Sequence, residues 1–255
     1  MRCSVRDVSR SPSDSMEAVK WPELVDHYIG RMNAHLDKSS AKRGDYCISD
    51  CTNLCLLKSY YSKKFPVQRE KKATLLFYRG RCIEGDLSTL KPQLKIINDI
   101  AGRADDDIDL GIVEIKTTAK GSGFFDPIDK DHGYPEWIMR SKGYCSMYGK
   151  NEIGLLVFFL FGSQPDFLPW AIRRNKGKPE EYINVKLDGW KLSFTDTELK
   201  ENWNVILHRR DLLKMTRDED DPELMLEFVR KTRPQWMCSY CEYKKVCAFF
   251  KKYET

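Results

Sequence analysis

Residues 100–118 read IAGRADDDIDLGIVEIKTT, and the assignment of this stretch decides the fold. An apolar-lined run reaches Asp105, passes an acidic patch, and re-enters a strand that carries Glu114 and Lys116. Side chains two apart on a strand project to the same face, so Glu114 and Lys116 share one. A carboxylate at Asp105, a second at Glu114 and the Lys116 ammonium would then converge at one sheet edge. Such a group suits a divalent cation held by oxygen ligands, with a positive charge beside it to steady an anion. An exposed hairpin with a solvated acidic turn is the plainer alternative, and the triplet alone does not exclude it.

Working outward, Leu94 to Ala104 reads as one strand and Gly111 to Thr117 as its antiparallel partner across the Asp105–Asp109 turn. Upstream, the apolar spacing predicts helices over Trp21–Leu36 and over Thr74–Leu90. Between them lies a helix capped by Ser49 and running through Tyr61. Glu84 falls on the apolar face of the Thr74–Leu90 helix, where a carboxylate needs a partner or a metal. Downstream, Trp137–Tyr148 reads as a helix and Ile153–Phe161 as a central strand. Leu168–Arg174 pairs with that strand as a hairpin, and Tyr182–Leu187 adds an edge. Thr195–Met215 is a long helix, and Pro222 at the first helical position opens another over Glu223–Lys231. This order of elements gives an α/β class, a mixed central sheet flanked by helices.

The bulk properties exclude several classes. The chain has 255 residues, and no apolar run in it approaches a membrane span. There is no apolar leader segment, so a cytoplasmic (intracellular) protein without membrane contact is expected. The net charge of +5 is a mild bias toward polyanions. Basic residues alternate with aromatics in KSYYSKK (58–64) and FFKKY (249–253), and Arg173, Arg174 and Lys176 lie near Trp170. Such patches bind single strands, or simply solvate helix ends. No phosphate loop of the Walker type is present, which argues against ATP-driven unwinding.

Nine cysteines in an intracellular chain argue against a disulfide scaffold. Three fall at Cys47, Cys51 and Cys55, and three at Cys238, Cys241 and Cys247 in a C-x2-C-x5-C array. Clustering of this kind suits metal ligation, either zinc or an iron–sulfur centre, with one ligand to come from elsewhere. Cys55 is favoured for that place, with Cys51 and Cys47 as alternatives. Cys82 and Cys145 read as core residues.

The order of short motifs resembles the PD-(D/E)XK nuclease superfamily, and within it the RecB-like branch. In that branch a helix carries Gly and, four residues on, His or Glu, here Gly80 and Glu84. A strand ends in Gly-Arg-x-Asp, here Gly102 to Asp105, and the next carries Glu-x-Lys, here Glu114 to Lys116. A later helix carries Gln and, four residues on, Tyr. Here those positions hold Arg140 and Tyr144, so the glutamine is replaced. The resemblance implies a restriction-endonuclease-like core over residues 19–255 behind a mobile tail, residues 1–18. It implies Mg²⁺ or Mn²⁺ held by Glu84, Asp105, Glu114 and the Ile115 carbonyl, with Lys116 orienting water and Tyr144 lining the DNA path. Among Asp105, Asp106, Asp107 and Asp109 it selects Asp105, which completes the Gly-Arg-x-Asp offset.

CRISPR-adaptation-type exonucleases and AddB-like recombination nucleases of this branch carry one cysteine before the core and three after it. That pattern implies a 4Fe-4S cluster on Cys55, Cys238, Cys241 and Cys247, with residues 45–61 and 232–255 supplying the ligands and a helical extension carrying it. Zinc is the alternative at the same site. The implied function is a metal-dependent DNA exonuclease acting on single-stranded DNA or DNA ends, in antiviral defence or recombination, with CRISPR-adaptation or recombination proteins as partners. Two other classes compete with it. One is a non-catalytic nucleic-acid-binding protein with a zinc or iron–sulfur site, and the other is a redox iron–sulfur protein.

Overall fold

Lys95–Ile97 (β2) and Ile100–Gly102 (β3) are separate strands joined by a tight reversal, because Asn98 and Asp99 both take the left-handed conformation (φ 50° and 61°). Asn and Asp are the non-glycine residues that accept it most readily. The single strand expected over Leu94–Ala104 is therefore a hairpin. It forms a three-stranded sheet with Tyr46–Cys47 (β1) in the order β1-β3-β2. The acidic patch also departs from expectation. Asp106–Ile108 (β4) is itself the antiparallel partner of Gly111–Thr118 (β5), with Asp106 opposite Val113.

A computed structural model describes residues 45–65, 74–75, 78–83, 92–109, 111–118, 134–161 and 184–253. The tail at 1–18, the Trp21–Leu36 helix, Glu84 and the Leu168–Arg174 strand lie outside the described residues. Of the Thr74–Leu90 helix, residues 74–75 and 78–83 are described, and they are helical. The expected Ser49-capped helix is two helices, Ile48–Thr52 (α1) and Leu56–Lys64 (α2), broken at extended Asn53. Asn53 Oδ1 accepts from the Cys55 backbone N–H at 3.1 Å, so the break is held by its own side chain.

The second sheet has the order β4-β5-β6-β7, with Glu152–Phe161 (β6) parallel to β5 and Asn184–Ser193 (β7) antiparallel to β6. Asn184–Ser193 is thus the long neighbour of β6, reaching past the expected Tyr182–Leu187 edge. Ile153, Leu155, Val157 and Phe159 alternate into the core along β6. The register sets Glu114 beside Leu155 and Lys116 beside Val157. Paired residues of neighbouring strands share a face, so Glu114 and Lys116 point inward, toward the helices.

One helix packs against this sheet and a second packs across the first. Pro135–Tyr148 (α3) begins with a proline in its first turn, and Asp196–Asp218 (α4) is capped by Thr195, whose Oγ1 accepts from the Glu198 N–H at 3.2 Å. After α4 come a 3₁₀ turn at Pro222–Met225, helix Leu226–Thr232 (α5), a second 3₁₀ turn at Gln235–Tyr240 and helix Ala248–Tyr253 (α6). Close packing of α3 depends on missing side chains. A Cβ on Gly143 would lie 2.4 Å from Ile48 Cδ1 and 3.0 Å from Ile206 Cδ1, and one on Gly102 would lie 2.5 Å from Met147 Sδ and 3.3 Å from Tyr144 Cε1. The class is mixed α/β, with mixed sheets flanked by helices, as expected. Gly143→Val should lower the urea midpoint, with a loss of about 1–3 kcal/mol from overpacking at the α1–α3–α4 crossing.

Candidate active site

Asp105 sits where the chain leaves β3 for β4. Its backbone N–H donates to the Val113 carbonyl at 3.0 Å, which extends the ladder against β5 by one residue. This fixes the side chain, and Asp105 Oδ2 accepts from the Ile115 N–H at 2.8 Å. Lys116 Nζ lies 3.6 Å from the same oxygen, donates to the Ile115 carbonyl at 3.0 Å, and pairs with Glu114 Oε1. The structure therefore brings Asp105, Glu114, the Ile115 carbonyl and Lys116 to one place. Asp107 and Asp109 are exposed, and Asp106 turns its Oδ1 to the Asp107 N–H. Among the described residues, Asp105 is the aspartate of that run that reaches Lys116.

Glu114 is the electrostatic centre of the site. It is 1% exposed, and neither of its oxygens accepts an aligned hydrogen bond. Burial, and next the charge of Asp105, push its carboxyl up to about 7, while Lys116 and Arg140 pull the other way. Arg140 Nη1 from α3 lies 3.6 Å from Glu114 Oε1, and Arg140 Nε is 3.5 Å from Thr52 Oγ1. Burial alone would lower the Arg140 pKa, but Glu114, Tyr144 and Asp105 outweigh it and hold the guanidinium charged. Reading Arg140 only as a lost glutamine missed this role. Its signal was the helical spacing to Tyr144, which sets both on the α3 face over β5. Tyr144 itself is 6% exposed and buried behind Gly102.

The donor set at this centre is all oxygen, and its buried carboxylate lacks hydrogen bonds. That suits a hard divalent cation. No three His, Cys, Asp or Glu side chains among the described residues converge as one metal ion requires. Two carboxylates and a carbonyl are what the described part supplies.

The cysteines form a second centre. Cys55, Cys238, Cys241 and Cys247 all line one cavity, together with Tyr61, Arg233 and Phe249. All four are free thiols. Burial pushes Cys55 up to about 11, and the other three cysteines add to that rise. Thiols whose charges oppose the ionisation of Cys55 are a set a cationic centre would stabilise. Cys51 is fully buried at the α1–α4 contact, its thiol pushed up to about 12 by burial, and its carbonyl accepts from Arg209 Nε. Cys145 is a core residue, as expected, whereas Cys82 is exposed, contrary to expectation.

No family model matches the chain, and no curated protein is significantly similar to it. Solved structures are similar in shape. The crystal structure of SSO0001 matches with a TM-score of 0.52 at 14% identity, over 88% of this chain and 96% of that one. An alkaline exonuclease from Laribacter hongkongensis matches with a TM-score of 0.42 at 12% identity, over 72% of this chain and 95% of that one. A phage-related exonuclease from Haemophilus somnus 129PT matches with a TM-score of 0.43 at 10% identity, over 71% and 99%. The likeness to SSO0001 is one of fold. Among the described residues no helix is long and apolar enough to cross a membrane.

Arg140→Ala should cost about 3 kcal/mol in chemical denaturation, the low end for stripping a partner from a buried pair, because Lys116 stays beside Glu114. Adding Glu114→Gln to that variant should recover part of the loss, which a double-mutant cycle will measure.

Proposed function

We propose that this chain is a metal-dependent DNA nuclease of the RecB-like PD-(D/E)XK type, hydrolysing phosphodiester bonds in single-stranded DNA or at DNA ends. The observation that carries the reading is the convergence of Asp105, Glu114 and the Ile115 carbonyl on one point, with the Lys116 ammonium among them. Asp105, Glu114 and the Ile115 carbonyl would hold Mg²⁺ or Mn²⁺, and Glu84 is the further ligand the motif order supplies. When bound, such an ion supplies Lewis-acid polarisation of the phosphate and a more acidic water.

The chain's own residues do the rest. Asp105 is oriented by the Ile115 N–H, which bonds its Oδ2 at 2.8 Å. Arg140 compensates Glu114 from behind, which leaves Lys116 able to turn toward an incoming phosphate. The Lys116 ammonium would orient the attacking water and offset charge on a non-bridging oxygen. Labelled single-stranded DNA should be cut in Mg²⁺ or Mn²⁺ by the wild type. Asp105→Ala and Lys116→Ala should each be slower by at least about a hundredfold. Equal cleavage by all three proteins would remove this site from the reaction.

The cysteine ring is the second part of the proposal. Four thiols around a shared cavity suit a 4Fe-4S cluster or a zinc ion, and the order of the cysteines along the chain favours the cluster. Cys55, Cys238, Cys241 and Cys247 would hold it as a structural clasp. Protein purified without oxygen should be brown, with about four irons per chain and no stoichiometric zinc. Cys241→Ala should lose both colour and solubility, while Cys51→Ala should keep its iron. A colourless wild-type protein with one zinc would replace the cluster by the zinc site.

A further inference from the structure

Among the described residues Arg209, on α4, is the most deeply buried basic residue, 3% exposed. No carboxylate of the described chain meets its guanidinium there. Nε donates to the Cys51 carbonyl and Nη2 to the Asn53 carbonyl, so the fork spans the C-terminal end of α1 and the break that follows it. These are carbonyls that the end of a helix cannot satisfy by itself. The ring of Phe228, on α5, has its centroid 5.3 Å from the guanidinium carbon, within cation–π range.

Both contacts lead to the cysteine centre. The segment that Arg209 grips runs into Cys55. Asn53 Oδ1 accepts from the Cys55 N–H at 3.1 Å, and the Cys55 carbonyl accepts from the Lys58 N–H at 3.1 Å as α2 begins. Val229, the neighbour of Phe228 on α5, lines the cysteine cavity together with Arg233. The guanidinium therefore joins the stretch that supplies Cys55 to the helix that leads toward Cys238, Cys241 and Cys247. Capping two neutral carbonyls needs only donors, which an amide side chain supplies without burying a charge. Arginine adds a permanent positive charge and a rigid fork. Burial opposes that charge, and the groups that favour it are Cys51 and Cys55. A metal centre on four thiolates is anionic, whether the metal is zinc or a 4Fe-4S core, and a buried cation beside it is then compensated.

We propose that Arg209 is the positioning residue of the cysteine centre. Its fork fixes the α1–α2 break that presents Cys55, and its buried charge offsets the negative charge of the metal–thiolate group. This rests on the reading of Cys55, Cys238, Cys241 and Cys247 as ligands of one centre, and it holds for an iron–sulfur cluster and for zinc alike.

The role is tested on the full chain, purified without oxygen as wild type, Arg209→Gln, Arg209→Lys, Asn53→Ala and Phe159→Leu. Iron and zinc are counted, and release of the bound metal to a chromogenic chelator is timed. Release should be about tenfold faster from Arg209→Gln than from the wild type, the worth of one hydrogen bond to a charged group. Arg209→Lys keeps the charge and should recover most of the retention. Asn53→Ala cuts the tie to the Cys55 N–H without touching the buried charge, and it too should speed release. Phe159→Leu, a core change on β6, controls for a general loss of stability and should release its metal more slowly than Arg209→Gln. A wild type that holds neither iron nor zinc overturns the ligand reading, and this inference with it. A metal-bearing wild type matched by Arg209→Gln, or an Arg209→Gln no faster than Phe159→Leu, overturns the role of Arg209 alone. Should Arg209→Gln fail to fold, wild-type release from Asn53→Ala overturns it in the same way.

Discussion

A carboxylate on the inner face of a sheet is the constraint around which this fold is arranged. The parallel pairing of β5 with β6 turns Glu114 toward the same side as Leu155 and Val157, where an unpaired charge would cost several kcal/mol. Two cations answer it, Lys116 from the same strand and Arg140 from the helix above. Arg140 can reach only if α3 lies close over β5. That approach in turn requires glycine at 102, under Tyr144 and Met147, and at 143, against Ile48 and Ile206. The electrostatics of the site and the packing of the core are therefore one problem with one solution.

The two ends of the described chain meet by a different route. Tyr61 on α2 accepts from the Ala248 N–H at 2.9 Å and stacks near Tyr243, and Lys58 pairs with Glu242 at 3.1 Å. These contacts bring Cys55 to the C-terminal cysteines before any ligation is invoked. A centre bound there would lock a loop that runs through most of the chain, and the entropy removed from the unfolded state grows with loop length. The aromatic clasp preorganises the thiols, and thiolate ligation would make the closure durable.

The sequence was informative where periodicity and chemistry agree. The Glu114–Lys116 spacing, the apolar alternation of β6 and the long helix after Thr195 are recovered in the structure, and Cys55, unlike Cys51, lines the cavity with Cys238, Cys241 and Cys247. It was uninformative where a polar residue does a backbone job. Asn98 and Asp99 turn the chain inside an apolar-looking run, and Asn53 splits a run that reads as one helix. Asp106 and Asp107 belong to a strand although aspartate disfavours one, because pairing with β5 overrides local preference. None of these leaves a mark in hydrophobic spacing. The cavity beside α2 was half legible, in that KSYYSKK reads as an aromatic–basic patch. Its opposite wall comes from Leu213, Arg217 and Asp220, which only the tertiary fold supplies.

Arg140 is the point at which this chain departs from the motif order it otherwise follows, and the charges show why the departure is coherent. In the structure Lys116 is divided among the Ile115 carbonyl, Asp105 and Glu114, so it serves as a placeholder for positive charge at the carboxylates. A lysine committed in that way cannot also meet a phosphate. A glutamine at position 140 would leave Glu114 to Lys116 alone. With a permanently charged guanidinium there, Glu114 keeps a cationic partner on its helix side whatever occupies the open side. Under the proposed reading, Asp105 and Glu114 would hold the cation, and Lys116 would be available to a substrate phosphate because Arg140 keeps Glu114 compensated. Arginine at 140 would thus make the lysine available by sharing its duty at Glu114.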